Sequence, residues 1–119
     1  MIKNGERPEY DRMPLNKIPC TLKNTIKLID VSDIEYIASD MTGVHVVTST
    51  GEYLTDLTLK VIECRTDLFR CHRQYLVNIQ AIDRISINEN LSAQIFTKSG
   101  REIQVSRRYL KTLKEHLGL

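Results

Sequence analysis

From Ile18 onward the chain is a succession of short stretches rich in β-branched residues, each closed by turn-forming residues, at the spacing expected of an antiparallel all-β domain. The stretches Lys17–Cys20, Thr25–Ile29, Ile34–Ser39, Val44–Ser49, Glu52–Thr55, Ile82–Asn88, Ala93–Thr97 and Glu102–Val105 read as strands. Ser49-Thr50-Gly51, Asn88-Glu89-Asn90 and Ser99-Gly100 supply residues that tolerate the positive φ of tight hairpins. Two segments break the pattern. Leu57, Val61, Ile62 and Cys64 recur at helical spacing between Leu57 and Arg65, with Asp56 or Thr58 available as N-cap. At the end of the chain Ser106 caps RRYLKTLKEHL, which places Leu110, Leu113 and Leu117 on one face with Gly118 just past the helix.

At 119 residues the chain has room for one core and not two independent ones. Residues 1–14 are polar, hold Pro8 and Pro14 and have no periodicity, so they read as a linker or chain end, with one folded domain over 15–119. No apolar run reaches the roughly 18 residues of a membrane span, and the N-terminus has no signal-peptide core. The odd set Cys20, Cys64 and Cys71 fits reduced thiols in a cytoplasm better than a disulfide framework.

Charge is unevenly distributed. Residues 30–67 carry eight acids against Lys60 and Arg65, a balance of −6, whereas residues 98–119 carry six cations against Glu102 and Glu115, a balance of +4. Such a surface steers a polyanion toward one face, although chance segregation on a solvated surface gives the same pattern. The start of the last helix is more pointed. Arg107 and Arg108 sit in the first turn, where the helix dipole favours acids. A bound anion reverses that preference, since free helix N–H groups, the Ser106 hydroxyl and two guanidinium groups form a phosphate clamp. The bland reading pairs one Arg with an acid and leaves the other solvated.

Between Leu68 and Asn78, anchors alternate with polar groups. Phe69, Leu76 and Val77 fasten the segment and leave Arg70, His72, Arg73 and Gln74 to project. Arg reads guanine and Gln reads adenine in a major groove, so these are candidate base contacts, set against a plain connector whose polar residues cap backbone groups. Enzyme chemistry is not indicated. Cys71-His72 are adjacent, a poor arrangement for a nucleophile and its base, and Cys71 reads as a small core residue. Cys64, Cys71, His72 and His45 lack metal-ligand spacing, and no cofactor motif is present. The chain has no Trp for base stacking, which favours duplex over single-stranded nucleic acid.

Phe69-Arg70-Cys71-His72-Arg73-Gln74-Tyr75-Leu76-Val77-Asn78, followed by Val105-Ser106-Arg107-Arg108-Tyr109-Leu110-Lys111, resembles the paired signature of the LytTR (LytR/AlgR) family of DNA-binding domains, in its BtsR-like branch. The likeness extends through Ile34-Glu35-Tyr36-Ile37, Thr42-Gly43-Val44-His45 and Leu57–Glu63, and so covers nearly all of 18–119. It implies a mainly β fold, an elongated stack of small antiparallel sheets with short helices, whose loops enter successive major grooves. It also implies base readout by His45, with Thr42 or Val44 beside it, and by Arg73 and Arg108, and phosphate contacts from Arg70, Ser106, Arg107 and Lys111. The partners it implies are double-stranded DNA, as paired direct repeats bound by a homodimer, and a sensor histidine kinase acting through a receiver domain outside this chain. A β-rich protein-interaction module whose basic edge meets an acidic partner is the reading from another class.

Overall fold

Alternating apolar residues build two separate antiparallel sheets. The computed structural model describes residues 13–119. In chain order the elements are β1 (Lys17–Leu22), β2 (Thr25–Asp30), β3 (Ile34–Asp40), β4 (Gly43–Thr48), β5 (Glu52–Thr55), α1 (Leu59–Arg65), β6 (Phe69–His72), β7 (Tyr75–Val77), β8 (Ile82–Ile87), β9 (Ala93–Thr97), β10 (Glu102–Val105) and α2 (Arg107–His116). One sheet has seven strands in the order β2-β1-β5-β4-β3-β7-β6, and the other three in the order β10-β9-β8. The body is elongated, 54 × 32 × 26 Å.

The core has two compartments, one on each side of the long sheet. Successive strand residues point to opposite faces. Ile37 and Leu76 therefore join Ile18, Val46 and Ile62 beneath α1, while Val77 joins Cys71, Ile95, Ile103 and Leu113 beneath the short sheet and α2. This is why Leu76 and Val77, consecutive on β7, are both fully buried. Glu35 joins the compartments at a bulge between Ile34 and Tyr36. Its carboxylate is buried and accepts hydrogen bonds from the Ser99 hydroxyl at 2.6 Å and the Thr97 hydroxyl at 3.1 Å, which offset its desolvation. Glu35 thus adds nothing to the acidic surface counted from the sequence.

The expected strands are present, with β5, β9 and β10 ending at the residues expected and the others shifted by one or two. The main difference is β6–β7. The segment from Phe69 to Val77 is a hairpin rather than a connector, its alternation hidden by the cations and by a register shift between Arg70 and His72. Thr58 is the α1 cap, accepting the Val61 N–H at 3.2 Å. On α2, Leu110 and Leu113 are buried, but Leu117 is the C-cap residue and 37% exposed, with Gly118 beyond it at φ 82°. In the β8–β9 turn the positive φ falls on Leu91 (67°) rather than on an Asn, and the Asn90 and Asn88 side chains are both hydrogen-bonded to Ser92. Of the expected linker, residues 1–12 lie outside the described residues. Met13 and Leu15 already touch the fold, Met13 through its carbonyl to Arg65 Nε at 2.9 Å and Leu15 through its N–H to the Arg65 carbonyl at 2.6 Å. No helix among the described residues is long and apolar enough to cross a membrane.

Candidate nucleic-acid interface

Strand register brings the β3–β4 turn, the β6–β7 turn and the start of α2 to one end of the long sheet. His45 is opposite Ala38, Ala38 opposite Tyr75, and Tyr75 opposite His72. Beyond that row the Ser39 N–H donates to the Gln74 carbonyl at 2.9 Å, tying the first turn to the second. The Ser106 N–H donates to the Cys71 carbonyl at 3.0 Å, tying the start of α2 to β6.

Four of the expected contact residues present open cations here. Arg73, Arg107, Arg108 and Lys111 are exposed, and among the described residues none of them forms an ion pair. Arg108 lies 5.5 Å from the Tyr109 ring centroid, a contact that leaves its edge N–H groups open. Gln74 and Thr42 are exposed too.

The other three depart from expectation. Arg70 does not project. Its side chain is 20% exposed and bound on three sides, Nη1 donating to Glu63 at 2.7 Å, Nε to the His72 carbonyl at 2.9 Å and Nη2 to the Arg73 carbonyl at 2.6 Å. These bonds satisfy the His72 and Arg73 carbonyls at the β6–β7 turn. Ser106 takes the N-cap position, but its hydroxyl makes no capping bond and is buried without a partner, since the bond to Cys71 presses the residue onto β6. His45 is 16% exposed, with Nδ1 3.0 Å from Glu52 and Nε2 2.7 Å from the Thr42 hydroxyl and 3.2 Å from Asp40. Its ring is held inside the turn rather than offered to solvent.

Asp40, Glu52 and Glu63 are the residues the sequence reading missed. Each acts across a fold contact rather than along a motif. The Thr42 hydroxyl and then the Thr42 amide, donating to Asp40 Oδ1 at 2.6 and 2.8 Å, hold the Asp40 carboxyl down at about 2. His72, expected to project, instead accepts the Gln74 N–H on Nδ1 at 3.1 Å and packs on Tyr75. Burial, followed by the neighbouring Arg73 and Arg70 cations, lowers its pKa and favours the neutral ring that this bond requires.

The Cys71-His72 pair has no nucleophile geometry. Cys71 is fully buried, its sulfur lies 3.9 Å from the Tyr75 and Gln104 carbonyls, and burial pushes the thiol up to about 12. No group of three or more His, Cys, Asp or Glu side chains among the described residues is arranged to hold a metal.

Comparison with known proteins identifies the family and the fold. The family model described as the LytTr DNA-binding domain matches residues 24–118. A response regulatory protein of Vibrio cholerae is 50% identical over 121 residues, covering 99% of this chain and 51% of the relative. The transcriptional regulatory protein BtsR of Escherichia coli is 44% identical over 110 residues, covering 92% of this chain and 46% of BtsR. The chain therefore spans about half the length of these relatives. Among solved structures, the LytTr DNA-binding domain of a methyl-accepting/DNA response regulator from Bacillus cereus superposes with a TM-score of 0.81 at 18% identity, covering 88% of this chain and 99% of that one. With a family model matched over most of its length and a domain of the same fold, the chain belongs to the LytTR family of DNA-binding domains.

Proposed function

We propose that this chain reads double-stranded DNA by sequence, as the output domain of a transcriptional response regulator. The observation that carries the reading is a set of exposed cations that form no ion pair among the described residues, Arg73 on the β6–β7 turn and Arg107, Arg108 and Lys111 on α2, whose start is tied to β6 by the Ser106–Cys71 backbone hydrogen bond. Guanidinium forks on rigid turns suit guanine O6/N7, and cations beside a helix start suit phosphate.

The roles divide accordingly. Arg73 and Arg108 contact base edges, with Gln74 beside them, and Arg107 and Lys111 contact phosphates and set the register. His45 joins the base contacts by exchanging Thr42 or Asp40 for a base acceptor. Arg70 and Ser106 leave the list of direct contacts and act on the turns from within.

The relatives' names place them in response regulation, and about half of their length lies outside the match. The fuller reading is a cytoplasmic regulator in which a sensor histidine kinase phosphorylates a receiver domain. Two DNA-binding domains then pair on direct repeats, so that avidity raises occupancy without new base contacts.

Selection of bound duplexes from a random pool tests this directly. Enrichment of one short motif supports sequence reading, and its recurrence as a spaced direct repeat supports pairing. Recovery of unenriched sequence, with a steep salt dependence alone, leaves only non-specific polyanion binding.

A further inference from the structure

We propose that Glu63, on α1, is a positioning residue for the β6–β7 turn and acts through the Arg70 guanidinium. The inference rests on the reading above in one respect, that Arg73 in this turn contacts a base.

Arg73 and Gln74 turn the chain without the residues that such turns favour, next to a register shift between Arg70 and His72. What holds the turn is a set of donors from outside it. Arg70 holds the His72 and Arg73 carbonyls at 2.9 and 2.6 Å, and Ser39 holds the Gln74 carbonyl at 2.9 Å. Two of these three bonds therefore depend on one guanidinium turned inward and four-fifths covered. A cation in that position needs a counter-charge. Glu63 supplies it at 2.7 Å, from a helix whose Ile62 is anchored in the first core compartment.

The fork geometry explains the choice of arginine. Nε and Nη2 diverge toward two carbonyls while Nη1 meets the carboxylate, an arrangement that the single ammonium of a lysine does not reproduce. Glu63 is 40% exposed, so the pair contributes little to overall stability. Its effect is on where the Arg73 backbone sits, and base readout tolerates displacements of only about 0.5 Å.

The test compares wild type, Glu63→Gln, Arg70→Lys, Arg73→Ala and Glu63→Gln/Arg73→Ala, all in the full chain. Affinity is measured for the duplex selected from a random pool and for a mixed-sequence duplex, on the same preparation. The ratio of the two is independent of the folded fraction, so a variant that folds poorly still reports. Glu63→Gln and Arg70→Lys each lower this ratio about fivefold, a coupling of the size expected for residues in one network. Affinity for mixed-sequence duplex holds or rises in Glu63→Gln, which removes a negative charge. In the Arg73→Ala background, Glu63→Gln has no further effect.

An unchanged ratio in Glu63→Gln, with the ratio lowered in Arg73→Ala, overturns the positioning role and leaves the DNA reading intact. An equal loss in the Arg73→Ala background also overturns it, since Glu63 would then act elsewhere. No change in Arg73→Ala overturns both.

Discussion

Ser39 on β3 and Gln74 in the β6–β7 turn are joined by a backbone hydrogen bond of 2.9 Å, and through it two turns 35 residues apart in sequence share one scaffold. The first turn carries Thr42 and the second carries Arg73 and Gln74. Displacing either strand shifts both turns.

The proposed phosphate contacts make the first prediction. Lys111→Ala and Arg107→Ala weaken binding to selected and mixed-sequence duplexes by the same factor. Each also makes the slope of log affinity against log salt shallower by about 0.9. Fluorescence anisotropy across a salt series measures both effects.

Asp40 makes a prediction about pH. Its carboxyl titrates at about 2 because Thr42 donates to it twice. With a folded value below the unfolded one, the stabilisation is present above the unfolded value near 3.8 and is lost as pH falls from there through about 2. Thr42→Val removes the hydroxyl donor and raises the Asp40 midpoint, read from its side-chain carbon shift in an NMR titration.

At Ser106 the expectation is the reverse of a normal cap. Replacing a serine N-cap by alanine ordinarily costs about 1 kcal/mol. Here the hydroxyl makes no capping bond and is buried unpartnered, so Ser106→Ala leaves the midpoint of urea unfolding unchanged or raises it. A fall of the ordinary size would show that the hydroxyl caps α2.

The periodic elements were legible in the sequence because each buries one face. β5, β9 and β10 end at their expected residues, and α1 and α2 stand where Thr58 and Ser106 begin them. The β6–β7 hairpin was not legible, since Arg70 and His72 occupy strand positions with cations and a ring, and Arg73-Gln74 is not a recognisable turn pair. Arg73, Arg107 and Arg108 were singled out from local signals, and Lys111 through the family resemblance. The inward turn of Arg70 and of His45 depends on Glu63, Asp40 and Glu52, whose approach is a property of the folded sheet. Likewise Glu35 read as one more surface acid until Thr97 and Ser99, more than 60 residues away, came to it.

The two-sided burial of β7 predicts a large cost for truncation on either face. Leu76→Ala and Val77→Ala empty opposite compartments and are both fully buried. Leu76→Ala destabilises by about 2–5 kcal/mol in chemical denaturation, and Val77→Ala is destabilising as well.

Thiol accessibility follows from the same packing. Cys64 is exposed, whereas Cys20 and Cys71 are fully buried with raised pKa values. A thiol-specific label at neutral pH therefore modifies Cys64 rapidly and the other two only on unfolding. Fast labelling of Cys71 in native protein would contradict the packing of the second compartment.

The most direct trial of the account is the discrimination between selected and mixed-sequence duplex by Arg73→Ala and by Arg108→Ala. Each variant is predicted to lose about 1–3 kcal/mol on the selected duplex and to relax preference at one base pair, with a much smaller loss on mixed sequence. Losses of equal size on both duplexes would show that these arginines hold only the backbone, and the proposed base reading would fall.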